Sequence, residues 1–351
     1  PSYRDDVRCM NDVAEEIVRI YGYNNIKSGS IIAQMTQGGL PADVKFREGL
    51  SEHLCALGLD EICTFTFIPA RIYTKSGMAE DDPRRKSLEI ANPFGEDTKT
   101  LRTTSVPSML EILELNYNRS NPTASLFEMA KVFIPREGVV TNIHGLEGTL
   151  PDERIKVTVG FYGAGGFSRI KGICEEILRF AGIDNAKYVA VTDDPTFHPG
   201  RCAKIVLADG TDLGRFGELH PVTRENYTFS CPVYLAELDL ELIREHSVSE
   251  KKYKPLPKFP AVSRDFSLVC DEEIEVGTLE EAMSSCGVKI LESITLFDVY
   301  RGSQLPEGKK SVSFSVMLRA ADHTLTVDEA DKATKKILGT LEYKLGVTIR
   351  S

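Results

Sequence analysis

Four acids stand close together at the start of the chain: Asp6, Asp12, Glu15 and Glu16. On a helix beginning near Asp12, positions 12, 15, 16 and 19 share one side, and Val13, Ile17 and Ile20 share the opposite one. Three carboxylates then cluster, and Asp6 can approach from the preceding turn. An all-oxygen set of this kind suits Mg²⁺, which takes few carboxylates and completes its shell with water. The same residues have a second reading, because Asp12-x-x-Glu15 is also a capping box and acids in a first turn favour the helix dipole.

A second group lies near the chain's end. Phe297 and Tyr300 could stack on a nucleobase, at about 1–3 kcal/mol per base, or pack half-buried in a sheet. Arg264, Arg301, Lys309, Lys310 and Arg319 could hold phosphates. Elsewhere the signals point to structure. Gly163-Ala-Gly165-Gly166 has neither Walker nor dinucleotide spacing and reads as a strand-to-helix turn. His198-Pro-Gly200-Arg201 and His220-Pro221 read as turns, with no Ser or Cys on a nucleophile elbow to use a histidine base. Arg102 and Arg201 could each clamp a carboxylate or a phosphate.

The elements that must position the second group can be read from periodicity. In 311–319, Val312, Phe314, Val316 and Leu318 share one side of a strand, while Ser311, Ser313, Ser315, Met317 and Arg319 share the other. Phe266 and Leu268 oppose Ser267 and Val269 in the same way. Val276, Leu279, Met283 and Cys286 form a helical stripe. A second helix opens with the capping box Thr326-Val-Asp-Glu329, carries Ala330, Ala333, Ile337, Leu338, Leu341 and Leu345, and stops at Gly346. The order strand–helix–strand–strand–helix–strand builds a four-stranded antiparallel sheet with both helices on one face. The other face stays free, a surface on which RNA bases can lie.

Residues 42–240 read as a mostly antiparallel α+β domain. Phe46, Leu50, Leu54 and Leu57 make a helical stripe, Cys63–Ile68 alternates like a strand, and Ser105-Val-Pro107 starts a helix. Strands are expected at Ser125–Phe133, Lys156–Tyr162 and Tyr234–Leu240, a helix near Gly172–Ala181, and a hairpin turn at Asp209-Gly210. The Pro- and Lys-rich segment His246–Pro260 reads as an extended linker, and a second boundary falls near Asn24–Pro41.

The chain has 351 residues, room for two or three domains, with 42% hydrophobic and 27% charged residues, an ordinary globular composition. No apolar run approaches a membrane span of about 20 residues, and the opening has no secretory h-region. Eight scattered Cys without a CxxC pair read as reduced thiols, mostly buried, of a cytoplasmic protein rather than a zinc ribbon. The formal net charge is −10. Residues 251–351 are balanced, with 15 basic and 15 acidic side chains, which leaves 27 and 37 of the chain's 42 and 52 in the first 250. An acidic body opposes broad nucleic-acid binding, DNA included, so RNA contact belongs to the C-terminal segment.

With these residues in view, the chain resembles the bacterial phenylalanyl-tRNA synthetase β subunit. The C-terminal segment is similar to its ferredoxin-fold anticodon-binding domain through KFPAVSRDFSLV, LFDVYRG, GKKSVSFSVMLR and the D-x-TLT pattern at Asp322–Thr326. The middle resembles its catalytic-like module through NPFGEDTKTLRTTSVPSMLE at 92–111, NRSNPTASLFEMAKVF at 118–133, FHPGRCAKIVLADG at 197–210, GRFGELHP at 214–221 and YLAELDL at 234–240. The resemblance implies four regions: the tail of a preceding domain (1–26), a class II synthetase-like module (27–245), a linker (246–257) and the ferredoxin-like βαββαβ anticodon-binding domain (258–351). The chain lacks an initiator Met and is expected to be a fragment, with the N-terminal and editing regions upstream.

The resemblance further implies a scaffold for the catalytic α subunit, binding to tRNA(Phe), and an (αβ)₂ heterotetramer when intact. Mg²⁺ would be held at Asp6, Asp12, Glu15 and Glu16, which match a D-x₅-D-x₂-EE pattern, and shared with the α subunit; ATP would be used only there. The strand matching the family's motif 2, SLFEMAKVF, carries Glu128 and Lys131 but no arginine to hold ATP. No catalytic residue is therefore expected here. In place of an acidic residue before the Lys-Gly of the internal helix, this chain has Phe167-Ser-Arg-Ile-Lys171-Gly172. The alternatives are a stand-alone class II-like ATP-dependent ligase and an interaction module that binds no RNA.

Overall fold

A computed structural model describes residues 2–35, 37–137, 150–248, 250, 252–253, 255–302 and 304–350. Parts of both expected linkers, at 36, 249, 251 and 254, lie outside the described residues. The chain divides into two compact units, one ending at Glu250 and one beginning at 251. Among the described residues no helix is long and apolar enough to cross a membrane.

The first unit opens with α1 (Met10–Tyr21), which buries none of its residues, and a 3₁₀ turn at Tyr23–Asn25; from there to Pro41 the described residues are exposed and form no helix or strand. Then come α2 (Ala42–Ala56), β1 (Asp60–Glu61), β2 (Phe67–Ile68), α3 (Arg71–Lys75), β3 (Thr100–Leu101), α4 (Val106–Asn118), β4 (Ala124–Ile134), β5 (Asp152–Tyr162) and α5 (Phe167–Phe180). It closes with β6 (Lys187–Ala190), β7 (Phe197–Val206), β8 (Asp212–Leu219), α6 (Pro221–Asn226), β9 (Val233–Asp239) and α7 (Leu240–Glu245). Seven strands form one sheet in the order β1-β4-β5-β9-β8-β7-β6, antiparallel except where β1 joins β4.

Alternation along β5 and β9 feeds a core on each face of this sheet. Val157, Val159 and Phe161 join Ala236 and Leu238 under α2 and α5, against Leu54, Ile170, Cys174 and Ile177. Tyr162 and Leu235 face α4, against Met109, Leu110 and Leu113. Helix α4 crosses β5 so closely that a Cβ at Gly160 would lie 2.7 Å from Met109 Cγ.

The expected strand over Cys63–Ile68 is regular only at its end, in β2. The Thr64 amide donates to the Glu128 side chain at 3.0 Å, which takes the place of a ladder partner. Cys63 is exposed rather than buried, as are Cys9 and Cys55. Burial pushes the Cys174 thiol well up and that of Cys202 up to about 12, so both behave as core hydrophobes.

The second unit comprises β10 (Val262–Asp271), α8 (Val276–Ser284), β11 (Leu291–Tyr300), β12 (Lys309–Leu318), α9 (Val327–Leu345) and β13 (Thr348–Ile349). Its sheet order is β11-β12-β10-β13, with antiparallel neighbours. Phe266, Leu268, Val312, Phe314, Val316 and Leu318 face the helices and meet Leu279, Met283, Ile337 and Leu341. Thr326 and Glu329 cap α9 reciprocally, and the Gly346 amide ends it on the Glu342 carbonyl. Among the described residues of this unit no helix covers the opposite face of the sheet.

Candidate functional site

On the α4 side of the larger sheet, the alternation that buries Gly160 and Leu235 brings Lys156, Glu237 and Asp239 to the same side. Beyond the end of α4 these residues line a cleft of about 240 Å³ together with Arg84 and Arg215. Every cation in it is committed. Arg84 pairs with Asp82 at 2.6 Å and Asp194 at 3.4 Å, and Arg215 reaches Asp194 at 2.5 Å. Lys156 and Arg154 both reach Asp239 at 2.7 Å. Burial alone would raise the Asp239 carboxyl, yet Lys156, the Leu242 amide and Arg154 hold it below its ordinary value. Glu237 accepts from the Thr104 hydroxyl at 2.7 Å and the Ser105 amide at 2.8 Å. Arg84, Lys156 and Arg215, the basic residues lining this cleft, are thus each paired with a carboxylate.

The arginines singled out in the sequence hold the chain's own acids. Arg102 is 2% exposed and donates to Lys131 O at 2.9 Å, Thr64 Oγ1 at 2.6 Å and Glu128 Oε1 at 3.2 Å. Arg201 pairs with Glu218 at 2.8 Å. The ring nitrogens Nδ1 of His198 and His220 accept the Gly200 and Val222 amides, as turn residues do. Arg169 donates to Ser125 Oγ and Ala164 O and lies over the Phe161 ring, so the 163–169 loop is pinned by its own arginine.

The four acids at the chain's start are arranged differently from a cage. Helix α1 begins at Met10, earlier than the sequence reading placed it, and its capping box is Cys9–Asp12 rather than Asp12–Glu15. Asp12 accepts the Arg8 amide at 2.7 Å and the Cys9 amide at 2.8 Å, which lowers its carboxyl. Arg4 lies 2.7 Å from Asp6 and 2.6 Å from Glu16, and it holds Asp6 down to about 2. Glu16 also pairs with Arg19, while Glu15 is exposed. Among the described residues no three acids, His or Cys gather as metal ligands, so the arrangement as it stands does not fit an ion.

On the smaller unit the seven candidate RNA residues divide. Tyr300 lies on the helix-free face opposite Ser311. Phe297 sits at a bulge between Leu296 and Asp298 and is 58% exposed. Arg301 reaches Glu272 at 2.6 Å and Lys309 reaches Asp271 at 2.6 Å, at one end of the sheet. At the other end Arg319 pairs with Glu292 at 2.8 Å and donates to Phe259 O. Two expectations fail. Lys310 alternates with Ser311 onto the helix side, is buried, and donates to Glu272 O at 2.8 Å. Arg264 also falls on the helix side and pairs with Asp331 of α9 at 3.1 Å.

The free face is floored by small hydroxyls. Ser267 and Ser313 are hydrogen-bonded to each other at 2.7 Å, and Ser311 lies beside them. Arg350, just past β13, stands over the Tyr300 ring at 4.9 Å from its centroid. The sequence reading missed it, although Thr348-Ile-Arg350 carries the alternation that puts residues 348 and 350 on one side.

Comparison with known proteins adds to this geometry. The profile described as phenylalanyl tRNA synthetase beta chain CLM domain matches residues 26–240, and that of the ferredoxin-fold anticodon binding domain matches residues 257–350. The phenylalanine–tRNA ligase beta subunits of Clostridium acetobutylicum and Clostridium tetani are each 40% identical over 350 residues. Each alignment takes in 100% of this chain and 43% of the relative, so the chain spans less than half the length of these curated relatives. The crystal structure of pyrrolysyl-tRNA synthetase from Desulfitobacterium hafniense superposes on 68% of this chain and 77% of its own, with a TM-score of 0.47 and 16% identity.

Proposed function

The chain belongs to the phenylalanyl-tRNA synthetase beta-chain family, and from that premise we propose that it serves phenylalanine–tRNA ligation as scaffold and RNA grip, not as catalyst. The larger unit carries the catalytic α subunit, where ATP is bound and phenylalanine activated. The smaller unit holds the anticodon region of tRNA(Phe). The assembly is an (αβ)₂ heterotetramer working in the cytoplasm.

One observation carries this reading: the helix-free face of the four-stranded sheet, floored by Ser267, Ser311 and Ser313, with Tyr300 on it and Phe297 exposed at its rim. Small hydroxyls let flat bases approach the sheet, and aromatic rings give them a surface to stack on. Two further features agree. The cations of the larger unit's cleft are all neutralised, which suits a module without nucleotide chemistry. Phe65 and Phe94 of that unit stand exposed near β2, apolar surface that a partner subunit would cover.

A magnesium ion at Asp6, Asp12, Glu15 and Glu16 would have to displace Arg4 from two of the four carboxylates. The partner subunit, rather than this chain alone, would then complete the site.

The test is a titration of the chain with tRNA(Phe) and with an unrelated tRNA at two salt concentrations. Saturable binding that prefers tRNA(Phe) and weakens with salt is the expected result. Binding that is absent, or the same for both RNAs, overturns the reading.

A further inference from the structure

Helix α9 turns one side outward from the smaller unit. Opposite its buried stripe of Ala330, Ala333, Ile337 and Leu341, the exposed residues Lys332, Lys336, Gly339 and Tyr343 fall in line, with Lys335 beside them. Lys336 Nζ donates to Gly287 O at 3.1 Å and Lys344 Nζ to Ser285 Oγ at 3.2 Å, both in the loop after α8, and Lys289 stands exposed in that loop. These contacts fix the ammonium groups without neutralising them. Among the described residues none of the five lysines is paired with a carboxylate, whereas Arg264, Arg301, Lys309 and Arg319 of the same unit all are. Of the acids on α9, Asp331 is taken by Arg264 and Glu329 by the capping box. Asp328 precedes the lysines and Glu342 lies at their margin.

Among the described residues nothing requires Gly339. It stands inside a 19-residue helix, where glycine is a poorer helix former than alanine. Its φ is not positive, and a Cβ there would meet nothing within 4 Å. What it supplies is a low spot between the lysines and Tyr343, which is itself 92% exposed. Another molecule's backbone can come close there.

We propose that this outward side of α9 docks the phosphate backbone of a double-helical RNA, held by Lys289, Lys332, Lys335, Lys336 and Lys344 and bound without regard to sequence. Unpaired lysines need a polyanion, and lysine meets a phosphate as a point charge. Residues 332–344 span about 18 Å of helix, a length over which a duplex carries roughly ten negative charges. That charge density favours nucleic acid over an acidic protein surface. Gly339 lets the sugar–phosphate ridge approach the helix. The RNA-binding reading above concerns the opposite face of the unit. This contact is additional to it, and each can be lost without the other.

The experiment titrates the full chain with a short blunt-ended RNA duplex, which offers no unpaired base to the helix-free face. The parent is expected to bind with a slope of log affinity against log salt of about −4 to −5, the value for five phosphate contacts. In the triple variant Lys332→Gln/Lys335→Gln/Lys336→Gln the slope falls to about −2. Gly339→Gln weakens duplex binding about 5-fold or more, while amide exchange shows α9 as well protected as in the parent or better. The proposal is overturned if the parent binds no duplex, if the triple variant keeps the parent slope, or if Gly339→Gln binds like the parent. Poly-glutamate that competes as well as the duplex also overturns it and assigns this side of α9 to an acidic protein. A parent chain that prefers tRNA(Phe) yet ignores the duplex loses this proposal alone; one that binds the duplex but shows no preference for tRNA(Phe) loses the earlier reading alone.

Discussion

Arg102→Met separates an arginine kept for a ligand from one that holds the fold. The substitution removes three donated hydrogen bonds, to Lys131 O, Thr64 Oγ1 and Glu128 Oε1, at a site where both Arg102 and Glu128 are buried. Removing one partner of a buried ion pair costs about 3–5 kcal/mol, because the other charge stays behind unpaired. Glu128 keeps the Thr64 amide and hydroxyl as donors, so the lower end applies, about 3 kcal/mol. That is a large share of a domain stability of about 5–15 kcal/mol. Because the chain forms two units, one global melting curve would blur the effect. Amide hydrogen exchange along β4 and β5 reads the larger unit alone, with β12 as internal reference. About 3 kcal/mol corresponds to roughly 100-fold faster exchange of the most protected β4 and β5 amides, with β12 unchanged. In the double variant Arg102→Met/Glu128→Gln the loss is smaller than the sum of the single losses by about 1–3 kcal/mol. Unchanged protection in Arg102→Met, or strictly additive losses, would refute the argument and return Arg102 to the pool of ligand-binding arginines.

Two other predictions concern the same unit. Gly160→Ala forces a methyl to within 3 Å of Met109, Leu113 and Leu235, and costs about 1–3 kcal/mol of its stability by urea unfolding; a neutral result would mean α4 is free to shift. The Asp239 carboxyl is depressed in the folded state, so its contribution to stability is full above its ordinary value of 3.8 and is lost as pH falls through the folded value. The stability gap between the parent and Asp239→Asn should therefore narrow below pH 3.8, and a gap that stays constant through that range would contradict the assignment.

What the sequence made legible was local. The alternation of Val312, Phe314, Val316 and Leu318 and the Thr326–Glu329 capping box both appear in the structure, because each depends on residues a few positions apart. What stayed hidden depended on partners far along the chain. The alternation with Phe266 and Leu268 places Arg264 on the helix side, but its partner Asp331 lies 67 residues away and no local pattern reveals it. Thr64 was read into a strand because nothing local reveals that Glu128, 64 residues later, takes its amide. Lys310 repeats the parity error. It falls on the same parity as Val312 and Phe314, so the alternation already placed it on the helix side. The neutralised cleft joins Arg84, Lys156, Asp194, Arg215 and Asp239, which come from separate strands and loops and share no motif.

The division of labour, with RNA held by the smaller unit and no activation chemistry in the larger, is tested most directly by phenylalanine-dependent ATP–pyrophosphate exchange on the purified chain without a catalytic subunit. Exchange at background level is the predicted result, since every cation in the cleft is already paired with a carboxylate. Robust exchange by the chain alone would contradict it.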